Sequence, residues 1–192
     1  MLNTPLSSMR RQLLLTFVML WLAAVAGCVP KVANKLPAAY VNRDLAITGE
    51  FHEEFGAQEK LSIKKTDDEE LSYSAATPGM DTDKFQVYTI GKLNLAFMPN
   101  YDEDDNNRTE ILGYSVARLQ VTKTQIVVEP LTNKFFEDNP AALPSTTLPK
   151  PGSATDITLN STPEQLALFF KLHQDTAGLF DVKHRIVYNR IK

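Results

Sequence analysis

The sequence predicts a mainly β (α+β) domain, an antiparallel barrel or sandwich of seven to eight strands with one helix in its C-terminal half before a closing strand. Three observations carry that expectation. Short runs of alternating apolar and polar residues recur at spacings of about 10–15 residues. Turn residues separate these runs. Near the C-terminal end one segment switches to helical spacing behind a set of N-terminal capping residues.

The first strand is expected over Leu45, Ile47 and Gly49 to Phe51, and the second over Lys60 to Lys65, where Leu61 and Ile63 alternate. Asp67-Asp68-Glu69-Glu70 marks a turn before a third strand with Leu71, Tyr73 and Ala75 on one face. Phe85, Val87 and Thr89 alternate in a fourth. Gly91-Lys92 then separates two alternating runs, and glycine at the first central position suits a type II′ hairpin. A fifth strand covers Leu93 to Met98, followed by a polar loop to Arg108. Glu110 to Leu119 and Thr124 to Val128 read as two further strands joined at Thr122-Lys123.

Residues 139–156 hold Pro140, Pro144, Pro149 and Pro151 without periodicity, the pattern of a surface excursion. Thr162 then fits an N-cap, with Pro163 at the first helical position and Gln165 at the third. Ser161 with Glu164 is the alternative frame. Leu166, Phe169, Phe170 and His173 recur at helical spacing, so a helix is expected over about 163–175 with its apolar stripe against the sheet. Val182, His184, Ile186 and Tyr188 alternate in the closing strand. No period recurs along the chain, which argues against a solenoid or propeller.

The 192 residues are 43% hydrophobic and 22% charged, which excludes a disordered, collagen-like or polytopic membrane chain. The net charge of −3 leaves no basic footprint for nucleic acid. One cysteine allows neither an internal disulfide nor a thiolate zinc cluster.

That cysteine follows the most specific pattern in the chain. Arg10-Arg11 precede an uncharged stretch from Leu13 to Ala26, which would span ~21 Å as a helix, short of a bilayer's ~30 Å core. A positive start, a short apolar run and a small-residue end describe a signal peptide over residues 1–27. Its end, Val25-Ala26-Gly27-Cys28, resembles the lipobox of bacterial lipoproteins. The resemblance implies cleavage between Gly27 and Cys28, a diacylglycerol on the Cys28 sulfur and acylation of the new amino group, palmitate being the kind of chain such an anchor carries. It places the protein in the bacterial envelope. Val29 stands where an Asp in enterobacterial lipoproteins resembles an inner-membrane retention mark, so the outer membrane, facing the periplasm, is expected. Removing residues 1–27 takes away Arg10 and Arg11 and no acid, leaving 18 basic and 23 acidic residues, a net of −5. Residues 28–43, with Pro30 and Pro37, read as a tether carrying a single domain over 44–192.

Gly49-Glu50-Phe51 resembles the Gly-x-Trp signature of the lipocalin first strand, with Phe51 in place of Trp. The resemblance covers three residues. It implies a barrel, and it leaves the ligand unknown.

No catalytic constellation stands out. Asp102, Asp104 and Asn106 open like an EF-hand loop, but Asn107 replaces its glycine and Gly113 its last carboxylate. His52, His173 and His184 have no ligand spacing, so no metal is expected. Gly113-Tyr114-Ser115-Val116-Ala117 approaches a nucleophile elbow, yet Ser115 falls inside a strand pattern. The pair Glu53-Glu54 cannot be set across a cleft from sequence. No cofactor is expected. The chain therefore reads as a non-enzymatic binding or interaction module, tethered to the membrane through acyl chains on Cys28, with an apolar small molecule or an envelope protein as partner. An adaptor of an envelope complex, using Phe135-Phe136, is the alternative. A periplasmic hydrolase is the third reading.

Overall fold

The computed structural model describes residues 29–54, 60–68, 70–78, 82–103, 109–143, 146–147 and 157–191. The signal segment, Cys28, Asp104, Asn106, Asn107 and most of the proline-rich stretch lie outside these residues.

Eight strands close into an antiparallel barrel. They are β2 (Gly49–Glu53), β3 (Lys60–Lys65), β4 (Tyr73–Ala76), β5 (Asp83–Ile90), β6 (Leu93–Glu103), β7 (Thr109–Val121), β8 (Gln125–Pro130) and β11 (Ile186–Arg190). From β2 to β8 each strand pairs with the next, and β11 bonds to both β8 and β2. That double pairing decides between barrel and sandwich, because it leaves no sheet edge in the ring.

Between β8 and β11 the chain leaves the ring and covers its outside. It forms α1 (Asn133–Asp138), β9 (Thr146–Thr147), β10 (Thr158–Leu159) and α2 (Pro163–Leu172). The reason lies in strands with two apolar faces. In β5 and β6, Val87 and Ala96 are register partners facing inward, whereas Tyr88, Ile90, Leu93, Leu95 and Phe97 face outward. Such an outer face must be covered. Leu166, Ala167, Phe169 and Phe170 of α2, with Phe135 and Phe136 of α1, cover it.

Helix α2 starts as expected. Thr162 Oγ1 accepts from the Gln165 amide and Gln165 Oε1 from the Thr162 amide, a capping box with Pro163 at N1. The helix ends at Leu172 rather than 175, and the ring of half-buried His173 packs 4.7 Å from Phe169. Gly91, at φ +58°, makes the tight β5–β6 turn that its position in the sequence called for.

Four expectations are corrected. The tether is not one: Val29, Val32 and Leu36 are buried, and Lys31–Val32 form β1, antiparallel to β7 and parallel to β10. Strand β7 outlasts β8, so its Tyr114–Ser115 edge needs a partner, and β1 supplies it. Second, Leu45 and Ile47 precede the first strand, with the Ile47 amide donating to Leu45 O at 2.7 Å in a tight bend. Third, Phe135 and Phe136 are 7% and 0% exposed and stack with Phe169, so they present no adaptor surface. Fourth, Val182 and His184 stand in a loop rather than the closing strand, which begins at Ile186.

Candidate functional site

The two ends of the barrel differ. At the end where β2 begins and β11 finishes, the segment before β2 folds across the opening, and Ile47 is 1% exposed. Arg190, the last residue of β11, locks it. Its Nη1 donates to Thr48 O at 2.6 Å, Nη2 to Ala46 O at 3.0 Å and Nε to Lys123 O at 3.1 Å. The same guanidinium lies 4.8 Å from the centroid of the Phe51 ring. Gly49 makes room for it: at φ +142°, a Cβ there would stand 2.5 Å from Arg190 Nη1. Further in, Phe51, Ile63, Tyr73, Val87, Leu119 and Ile126 pack as a dry layer. Burial raises the Tyr73 phenol above its ordinary pKa, while its hydroxyl donates to Leu45 O at 3.3 Å. Outside this plug is a depression of about 650 Å³ lined by Leu45, Thr48, Val121, Lys123 and Arg190. Three of Arg190's five N–H donors are committed to carbonyls.

Several members of the same interior cluster are only partly buried: Leu61, Ala96, Val128 and Tyr188, the register partners of Phe51, Val87, Leu119 and Ile126, with Leu45 and Val121 at the closed end and Ala75 and Met98 farther from it. Polar residues mark the opposite rim. By register, Glu53 faces inward beside Tyr188, and Asp83 beside Ala75. Ser115 Oγ donates to Asn100 Oδ1 at 3.1 Å on the same rim. The turns bordering this end, 55–59, 79–81 and 104–108, lie outside the described residues. The described part is a barrel with an apolar interior, one end closed by the segment before β2 and polar residues at the other.

Beside that rim, loop 181–185 is organised by one carboxylate. Asp181 Oδ1 accepts from the amides of Lys183 and His184 at 2.9 and 3.1 Å, and Oδ2 pairs with His184 Nδ1 at 2.7 Å. Partial burial would raise the Asp181 pKa, but the hydrogen bonds from the His184 ring and the two amides outweigh it and hold the carboxyl below its usual range. An acid–histidine pair of this kind needs a nucleophile for acyl-transfer chemistry. Ser115 does not provide one, because it lies inside β7 and donates to Asn100.

The histidines are spread over different elements: His52 in β2, His173 at the end of α2 and His184 in the loop. Among the described residues, no group of three or more His, Cys, Asp or Glu side chains is placed to hold a metal. The Asp102, Asp104 and Asn106 side chains lie outside the described residues. Glu129 escaped the sequence reading. It is 1% exposed on the outer face and accepts from Arg118 Nε at 2.6 Å and Gln120 Nε2 at 2.8 Å. Both donors converge on Glu129 Oε2, a structural ion pair across β7 and β8.

A second surface feature lies on α2. Leu168 and Leu172, 57% and 69% exposed, stand one turn apart beside Tyr40. A depression of about 200 Å³ there is lined by Pro37, Tyr40, Glu164, Ala167, Leu168 and Lys171. Among the described residues no helix is long and apolar enough to cross a membrane. No family model, curated protein or solved structure matches this chain.

Proposed function

We propose that the chain is an acyl-anchored envelope lipoprotein whose barrel binds an apolar or amphiphilic small molecule in its interior, without catalysing a reaction. One observation supports the binding half: the barrel interior is apolar, and Leu61, Ala75, Ala96, Met98, Val128 and Tyr188 within it are only partly buried. A barrel of about eight strands holds either its own side chains or one small ligand. Small residues leave room in the wall here, with Ala75, Ala96 and Ala117 on three inward positions. The anchor half rests on Val25-Ala26-Gly27-Cys28, and the outer membrane is the proposed site because Val29 follows the cysteine.

The test is to purify the protein from its native membrane and analyse its organic extract by mass spectrometry beside an Ala96→Trp variant. The wild type should carry a bound apolar molecule in near-stoichiometric amount. The variant, with its wall filled, should lose it by about tenfold while keeping its far-ultraviolet spectrum. Empty wild-type protein that also ignores apolar fluorophores would refute the binding reading.

The adaptor reading keeps one supporting observation, the exposed Leu168 and Leu172 beside Tyr40. Crosslinking in intact cells distinguishes it: a specific envelope protein captured through this helix would favour the adaptor over the small-molecule binder.

A further inference from the structure

The structure pins residue 29, and that has a consequence for how an anchored molecule would sit. If Cys28 carries the acyl chains, no slack separates them from the folded body. Val29 is 6% exposed, Pro30 is buried, and Lys31 is bonded into the sheet, with its amide donating to Ile157 O at 2.8 Å. One residue spans at most ~3.6 Å. The bilayer must therefore lie against the face of the domain from which β1 emerges.

The pairings locate that face. On the edge of β7, Leu131 donates to Val116 O at 3.0 Å, and the next residue along, Ser115, pairs with Lys31. Leu131 also bridges to Phe180, and the Asp181 amide donates to Pro130 O at 2.8 Å. With neighbouring strands ~4.8 Å apart, Lys31 and Asp181 come within roughly 10 Å of one another. Loop 181–185 thus flanks the point where the chain would enter the lipid. Its composition suits that neighbour. Val182 is 51% exposed, and Lys183 and Arg185 are exposed beside it. An exposed apolar residue followed by two cations is matched to an anionic headgroup layer with acyl chains beneath.

We infer that the loop Val182–Arg185 is a bilayer-contacting surface that holds the barrel in one orientation. This rests on the lipoprotein reading above.

The experiment uses the full-length acylated protein in vesicles of zwitterionic and anionic phospholipid. Cys28 is the chain's only cysteine, so an added one carries the only free thiol. Val182→Cys and Lys123→Cys, the latter at the sealed end, are labelled with a water-soluble maleimide. Position 182 should react at least about tenfold more slowly than position 123. Inserting a flexible Gly-Ser linker of about a dozen residues after Cys28, together with Lys183→Glu and Arg185→Glu, should raise its rate to that of position 123. Equal rates on a protein whose Cys28 carries acyl mass would overturn the orientation alone. Absence of acyl mass would overturn the anchor and the orientation together.

Discussion

Arg190 and Phe51 are register partners on β11 and β2, and the guanidinium of the one lies over the ring of the other at 4.8 Å. The contact joins the last strand of the barrel to its first, and the same side chain ties down the carbonyls of Ala46 and Thr48. One side chain thus ties the seam of the ring to the segment that closes its end.

Arg190→Ala should therefore cost roughly 2–4 kcal/mol, since it leaves three carbonyls and an aromatic face without their donor. In a chain of this size that lowers the melting temperature by roughly 5–15 °C. Arg190→Lys should recover only part of the loss, because an ammonium cannot reproduce the planar fork. A thermal melt of the three proteins checks this, and equal melting of wild type and Ala variant would show that the plug is held otherwise.

On α2 the two faces give opposite predictions. Phe169, 3% exposed, touches the rings of Phe135, Phe136, Phe170 and His173, so Phe169→Ala should cost about 3–5 kcal/mol. Leu168→Ala, at a residue 57% exposed, should change stability by less than about 0.5 kcal/mol. Denaturant titrations of both variants test the pair, and a Leu168 variant as weak as the Phe169 variant would contradict this assignment of faces.

The depressed pKa of Asp181 makes a pH prediction. A carboxyl with a folded pKa below its unfolded value of ~3.9 stabilises the fold above that value, and the contribution disappears as pH falls through the folded pKa. Asp181→Asn should then be less stable than wild type at pH 6–7. The gap should narrow below about pH 4. A gap that widens on acidification would mean that the carboxylate is a burden to the fold.

Cys28→Ser should block acylation and leave the signal segment uncleaved by the lipoprotein peptidase. Phase partitioning in detergent, with intact mass of the wild type, checks this. A Ser variant that survives high-salt and carbonate washes in the membrane fraction, alongside a wild type without acyl mass, would sink the anchor.

The elements that could be read from the chain are those settled by neighbours in sequence. Thr162, Pro163 and Gln165 specify a helix start because all the orphan amides they serve lie within one turn. Gly91 specifies a turn because its φ is a property of one residue. Alternation at Leu61 and Ile63, or at Phe85 and Val87, reports one apolar face. It does not report whether the other face will be covered, as the face of Tyr88 and Ile90 is.

What only the tertiary structure decided are the pairings between distant segments. Lys31–Val32 carries no strand signal and becomes a strand because Tyr114–Ser115 leaves an edge open. Ile47 looks like a strand residue and becomes a plug because Arg190, far along the chain, draws the carbonyls beside it across the barrel end. Strand register sets Ala75, Ala96 and Ala117 facing inward on separate strands. Local sequence determined the helix, the turns and the β character, because hydrogen bonds within a turn and the side-chain period of a strand are short-range. Ring closure and the sealed end were decided by contacts whose cost in loop entropy is repaid only once the whole barrel has formed.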